Sequence, residues 1–473
     1  MVPTSFPSFV HLLSPFPGPQ FAQKCVPVHT SLRDIQVHIE RSLSQDMLKI
    51  LPILFFLVSL IYYFSNRRYP RHIIIKSTYI HNQLKGGIYM SNESIEYLMP
   101  VNIQFGPNRI EEAGDLVARL GKNALLVTGK KAMKKSGVTD RLISSLQDSS
   151  VKVTVFDEIF PNPTDDLVDK GAGIARKNGC DVIVGFGGGS AMDAAKGIAV
   201  VAALGGCLWD YIGENRVTGD AIPMVAIPAT AGTGSETTPY AVFTNPEIYR
   251  KDAVVSQHTF PKMSIVDPSV MKTMPPSVTA DTGFDALGHA IEAYMSILAN
   301  PFADACSYES VRLTGEALVK AVRDGNDIET RGKMAIASSL AGMAIAQVGV
   351  VAGHGFAMAI GGLLNTSHGR TVGILLPHVM TYNLDTIPDK IARLAPALGL
   401  AVAGDSQKNA ENVISCIREM MHDIDYPTNL GSLGIQREDL QKIVDDSMNQ
   451  EDIDFNPRKF DRSSAEKFID SIL

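Results

Sequence analysis

DVIVGFGGGSAMDAAK, residues 181–196, passes from an apolar β-branched run through three glycines and a serine into a helix-forming stretch. An apolar run of this length is read as a strand buried on both faces, the signature of a parallel sheet covered by helices. Gly187, Gly188, Gly189 and Ser190 then form a turn whose N–H groups, unobstructed by Cβ atoms, point at a helix N-terminus. That is an anion cradle, where a diphosphate gains both hydrogen bonds and the helix dipole. The spacing is not the GxGxxG fingerprint, so the ordinary Rossmann motif is not claimed.

Working outward, similar runs recur: ALLVTG (124–129), VKVTVF (151–156), PMVAIPAT (223–230) and MSIVDP (263–268) read as further strands, with helical patterns such as RIEEAGDLVARLG and SAMDAAKGIAVVAALGG between several of them. Alternating strands and helices predict a parallel α/β sheet, Rossmann-like, over 90–268. Beyond Pro268 the strand signals stop. SYESVRLTGEALVKAV and DKIARLAPALGLAV carry helical periodicity, and 269–473 is expected to be an all-helical metal and substrate domain. The apolar stretch from Met334 through Leu364 mimics a membrane span, but its Gln347, His354 and many small residues predict a buried central helix of a bundle.

The first 89 residues are a different population, with nine Lys/Arg against three Asp/Glu, whereas the remainder has 34 against 47. They are read as a leader, either a membrane anchor through the apolar run 50–64 or translated sequence upstream of a start at Met90. KGGIYM, 85–90, is what a purine-rich ribosome-binding sequence would encode in frame. The run is short for a span and contains Pro52; if inserted, Arg67, Arg68 and Arg71 would keep the rest cytoplasmic. A cytoplasmic enzyme is expected otherwise. The acidic balance argues against nucleic acid as a partner. Five cysteines at 25, 180, 207, 306 and 416, with no CxxC pair, argue against a disulfide framework or a thiolate zinc site.

A second loop, IPATAGTGSETT (227–238), follows another strand and offers Thr230, Thr233 and Ser235 at the same sheet edge, where doubly wound sheets collect ligands. Two such loops imply one extended dinucleotide. Nicotinamide sites that reject a 2′-phosphate commonly place an acid at a strand end; here Gly129 ends the strand and Lys130, Lys131, Lys134 and Lys135 follow, favouring NADP over NAD.

GHGFAMAIGGLLNTSHG, 353–369, sets His354 and His368 fourteen positions apart among apolar residues, either as two core histidines or as two arms of a metal site. FDALGHAIEAY adds Asp285 and His289, four apart and hence on one helix face. Three imidazoles and one carboxylate satisfy Fe(II) or Zn(II) and leave a position for a substrate oxygen.

GGGSAMDAAK, PATAGTGSE, DTGFDALGHAIEAY and HGFAMAIGGLLNTSHGRTVGILLPHVM together resemble the iron-containing, group III alcohol dehydrogenases over 95–473. The resemblance implies metal ligands Asp285, His289, His354 and His368, a diphosphate on Gly187 to Ser190, and cofactor contacts from Asp193, Thr230, Thr233 and Lys251. It also implies hydride transfer between NAD or NADP and a small primary alcohol or aldehyde, and assembly as a homodimer or larger oligomer. Some members carry a further histidine four residues after the third ligand, where this chain has Met358, so a proton path through that position is not expected. Members restricted to NAD often have Asp at the place of Gly129. The rival readings are a cyclising lyase of the dehydroquinate synthase type, which would need Lys and Arg converging on a phosphorylated substrate, and a non-catalytic protein that binds metal or nucleotide.

Overall fold

The structure, a computed structural model, describes residues 94–130, 132–246 and 250–473. The leader, its apolar run, the proposed start at Met90, and Lys131 lie outside the described residues. Nine strands occur among those described: β1 (Asn102–Phe105), β2 (Asn123–Gly129), β3 (Lys152–Ile159), β4 (Val182–Gly187), β5 (Gly213–Glu214), β6 (Met224–Pro228), β7 (Tyr240–Asn245), β8 (Arg250–Val255) and β9 (Met263–Val266). Six form one sheet in the order β1-β9-β6-β4-β2-β3, every pair parallel. Successive residues of β2 serve opposite faces: Leu125 and Val127 join one core with Ile183 and Ala226, while Ala124 and Leu126 join another with Val184 and Ile227. Such two-sided burial is why these strands are apolar throughout.

Crossover helices α1 (Val138–Asp148), α2 (Asp165–Asn178) and α3 (Gly189–Leu204) lie within this half. From β2 the chain steps outward to β3 and then returns across β2 to β4. The strand order therefore reverses between β2 and β4, and such a reversal opens a crevice at the strands' carboxyl ends. Gly129 and Gly187 end the two strands that flank it.

Two features were not legible in the pattern. β1 is a four-residue edge strand with two exposed positions, too short to show periodicity. A second sheet, β5-β8-β7, pairs β7 and β8 antiparallel and brings Lys251 opposite Thr244.

The second half is helical: α4 (Pro276–Met295), α5 (Pro301–Arg323), α6 (Ile328–Val348), α7 (Ala352–Leu364), α8 (His368–Asn383), α9 (Ser406–His422), α10 (Leu440–Ser447) and α11 (Arg462–Asp470). α4 runs through its centre, packed by α5, α6 and α8. Phe284, Leu287 and Ile291 on α4 are fully buried, each worth roughly 1.5–3 kcal/mol in apolar transfer.

Three expected helices break. The apolar stretch from Met334 is two helices, α6 and α7, bent by 99° at residues 349–351. Gly349, at φ 64°, ends α6 in the left-handed conformation that favours glycine. The bend turns a would-be central rod into a corner that presents His354 to α4. Among the described residues no single helix is long and apolar enough to cross a membrane. DKIARLAPALGLAV gives a short helix, Pro388–Ala392, and a 3-10 turn, Pro396–Leu398, because Pro396 has no N–H to continue the ladder. RIEEAGDLVARLG likewise forms a 3-10 turn, Arg109–Glu112, and one short helix, Ala113–Val117.

Candidate active site

α4 opens with Pro276 at its first turn, where a missing N–H costs nothing. Two turns on, Asp285 and His289 project from the same buried face. α7 contributes His354 and α8 begins at His368. One donor atom from each of Asp285, His289 and His354 lies within 4.8 Å of the others. His368 falls outside that mutual limit, yet its Nε2 is 3.8 Å from Asp285 Oδ1, and His354 Nε2 is 3.9 Å from the same oxygen. The ring centroids are 4.4 Å apart for His289 and His354, and 5.4 Å for His354 and His368. Thus the four residues singled out in the sequence come together at the Asp285 carboxylate.

The backbone at the start of α8 touches α4 directly. A Cβ on Gly369 would stand 2.5 Å from the carbonyl oxygen of Asp281, so only glycine lets α8 approach this closely. Arg370 Nε donates to Asp281 Oδ1 at 3.0 Å and Ser367 Oγ donates to its Oδ2 at 3.2 Å, tying both flanks of His368 to α4 one turn before Asp285.

The electrostatics of this cluster are those of a site that wants a cation. Burial pushes His289 down to about 4 and His354 to about 3, and pushes His368 well below its ordinary value, so the rings are neutral at pH 7 with lone pairs available. Burial pushes the Asp285 carboxyl up despite His289 and Lys251 nearby. Among the described residues Asp285 Oδ1, both His354 ring nitrogens and His368 Nδ1 lack a hydrogen-bond partner. His289 Nδ1 is 3.2 Å from the Gly232 carbonyl, which fixes its proton there and frees Nε2. Orphaned buried polar atoms are expensive, and one divalent ion with N and O ligands would satisfy them. The donor set fits Fe(II) or Zn(II).

The glycine loop is built from backbone. β4 runs to Gly187, at φ 150°; Gly188, with no side chain to cap it, precedes α3, whose first residues are Gly189 and Ser190. The second loop packs on the first: a Cβ on Gly189 would stand 2.8 Å from Thr233 Cγ2, and one on Gly188 would stand 3.4 Å from Thr230 Oγ1. Asp193 and Ser235 are engaged elsewhere. Ser235 Oγ donates to Asp193 Oδ1 at 2.7 Å, the Val242 N–H donates to Asp193 Oδ2 at 3.1 Å, and the buried Lys196 ammonium donates to Ser235 Oγ at 2.8 Å and to the Tyr240 carbonyl at 2.6 Å. Burial lowers Lys196 to about 8 against the opposing pull of Asp193 and Glu236.

Lys251 reaches between the two ends. Its Nζ donates to Asn162 Oδ1 at 3.1 Å; burial lowers it, while the carboxylates of Asp193 and Asp285 raise it. Gly129 closes β2 beside a register shift against β3.

Sequence reasoning missed Glu292, Lys196 and Asn162. Glu292 stands seven residues after Asp285 on the same apolar helix face, a spacing that could have flagged it. Lys196 sits in a helix whose neighbours are almost all small and apolar, also a readable signal. Asn162 left none, because its role depends on β8 folding back beside it.

Residues 100–268 match the family described as iron-containing alcohol dehydrogenase, and residues 279–473 match the Fe-containing alcohol dehydrogenase family, C-terminal. The chain belongs to the iron-containing alcohol dehydrogenase family. It is 39% identical over 373 residues to the 1,3-propanediol dehydrogenase of Klebsiella pneumoniae, covering 78% of this chain and 96% of that one. With the NAD-dependent methanol dehydrogenase of Bacillus methanolicus it shares 33% over 363 residues, 76% and 95% of the two chains. The crystal structure of a 1,3-propanediol oxidoreductase superposes with a TM-score of 0.78 at 38% identity, over 80% of this chain and all of that one. This iron-containing alcohol dehydrogenase is therefore a metal-dependent, NAD-linked alcohol oxidoreductase, with the parallel-sheet half followed by the helical half.

Proposed function

We propose that this enzyme passes a hydride between the carbinol carbon of a small, uncharged primary alcohol, or its aldehyde, and the nicotinamide of NADP in preference to NAD. Asp285, His289, His354 and His368 would hold Fe(II) or Zn(II). When bound, the cation supplies Lewis-acid polarisation of a substrate oxygen. The convergence of three neutral imidazoles on the Asp285 carboxylate, whose Oδ1 is unsatisfied, carries this reading.

The rest is done by the chain's own groups. His368 is the one member of the quartet with appreciable exposure, 27% of its side chain, so substrate would enter on its side. Backbone N–H groups at Gly188, Gly189 and Ser190, with the N-terminal dipole of α3, would hold the diphosphate. Thr230 and Thr233 face that loop. Asp193 and Ser235, locked by Lys196, would hold the two loops in register, and Lys251 would place a positive charge between the nucleotide and the metal ligands. Holding the two reacting centres in near-attack geometry is the protein's contribution.

The NADP preference rests on Gly129. Its φ is not left-handed and a Cβ there would meet only the Ile159 carbonyl, at 3.4 Å. The backbone does not demand glycine, which leaves the missing acid as the reason for it. Exposed Phe105 at the end of edge strand β1, with exposed Ile95 and Leu98 shortly before it in the chain, supports a homodimer or larger assembly, and the free cysteines at 180, 207, 306 and 416 support a reducing, cytoplasmic setting. A panel of short aldehydes assayed with NADH and NADPH, with metal analysis of the same protein, tests the reading: metal-dependent oxidation of NADPH is expected. Stoichiometric binding of metal and nucleotide without aldehyde-dependent oxidation would overturn it.

A further inference from the structure

The helix face that presents Asp285 and His289 brings a second acid inward. Glu292 is 0% exposed. Its Oε2 accepts hydrogen bonds from the N–H groups of Val351, at 2.9 Å, and His354, at 3.2 Å. Both belong to the start of α7, where N–H groups have no partner within the helix. Gly353 lies between them, and a Cβ there would collide with Glu292 Oε1, so the chain is shaped to admit this carboxylate. Oε1 itself has no hydrogen bond among the described residues and stands 3.1 Å from His354 Nδ1, which has none either. The two atoms are within hydrogen-bond distance but out of line.

We infer that Glu292 is a positioning residue for the metal site: one oxygen pins the first turn of α7, and the other holds the His354 proton on Nδ1, leaving Nε2 for the cation beside Asp285. The inference rests on the metal reading above. A ring nitrogen that donates to a carboxylate fixes the tautomer and orientation of the nitrogen opposite. A cap alone would make no such demand.

Glu292→Gln separates the two roles. The glutamine carbonyl still accepts the Val351 and His354 N–H groups, preserving the cap and the fold. Its amide then faces Nδ1 as a donor and favours the tautomer protonated on Nε2, the wrong one for a ligand. Metal-free protein reloaded with Zn(II) against a competing chelator should show a Kd weakened about 10- to 100-fold. The thermal midpoint of the metal-free protein should be no lower than wild type, the Kd for NADPH should stay at its wild-type value, and the visible bands of the Co(II)-loaded variant should shift. Gly353→Ala, which displaces Oε1 while keeping the carboxyl group, should weaken metal binding in the same direction. Wild-type metal affinity in Glu292→Gln would reduce Glu292 to a cap and overturn the inference, whereas a wild-type chain that bound no divalent metal would overturn the metal reading itself.

Discussion

The two parts of the proposed site are made of different material. At the candidate metal site, four side chains from three helices gather at the Asp285 carboxylate, and the identity of each would matter. At the proposed nucleotide site, glycines and small hydroxyl residues follow two strands, and what would matter there is the absence of side chains that would cover the N–H groups. The first site depends on atoms present, the second on space left open. A single substitution should therefore abolish the first and only weaken the second.

The largest effect should come from His289→Ala. Metal analysis is expected to show the ion lost, and kcat/KM should fall by about 10³-fold or more, at about 1.4 kcal/mol per decade, while NADPH still binds. Retained metal and turnover would erase the asymmetry. Next, Gly189→Val puts bulk against Thr233; KM for NADPH should rise about 10- to 100-fold, or about 1.4–2.8 kcal/mol, with metal content unchanged. An unaltered KM would mean that the diphosphate lies elsewhere.

Gly129→Asp sharpens the contrast further, since it adds an acid at the end of β2 where the backbone tolerates one. The ratio of kcat/KM for NADPH over NADH should drop by about tenfold or more; an unchanged ratio would remove Gly129 from cofactor selection.

The smallest effect is on stability. Burial pushes Glu292 and Asp452 up to about 8, the Glu292 charge adding to the shift of Asp452. Groups whose native values lie above their unfolded ones bind more protons when folded, so their contribution declines as pH rises toward 8. The buried imidazoles shift the other way, but their dependence ends near pH 6.5. Between pH 6.5 and 8 the metal-free protein should lose stability, by denaturant titration, and reloading the metal should flatten the slope. A slope that is flat without metal would show that these carboxyls do not carry the dependence.

The same contrast explains what could be read from the chain. Asp285, His289, His354 and His368 were legible because metal binding needs particular residue types, and rare polar groups among apolar neighbours stand out. The glycine loop was legible for the converse reason, since three consecutive glycines exceed what a turn needs. The corner at Gly349 was not, because local periodicity runs straight through it: what breaks the helix is a glycine in the left-handed region together with a carboxylate from α4, 59 residues earlier, capturing the Val351 N–H. β1 and the β5-β8-β7 sheet escaped because their pairing is decided by distant neighbours rather than by their own short sequences. Ser235 was picked out by its place in the second loop and Asp193 by the family resemblance; the two hydrogen-bond to each other, with Ser235 also held by Lys196 and Asp193 by the Val242 N–H.

Anomalous X-ray diffraction from a crystal of the metal-reloaded enzyme tests the central claim most directly. One strong peak is expected, about 2.0–2.2 Å from an Asp285 oxygen and from one ring nitrogen each of His289, His354 and His368. A crystal of the loaded protein with its peak at any other place, or with none, would contradict the account.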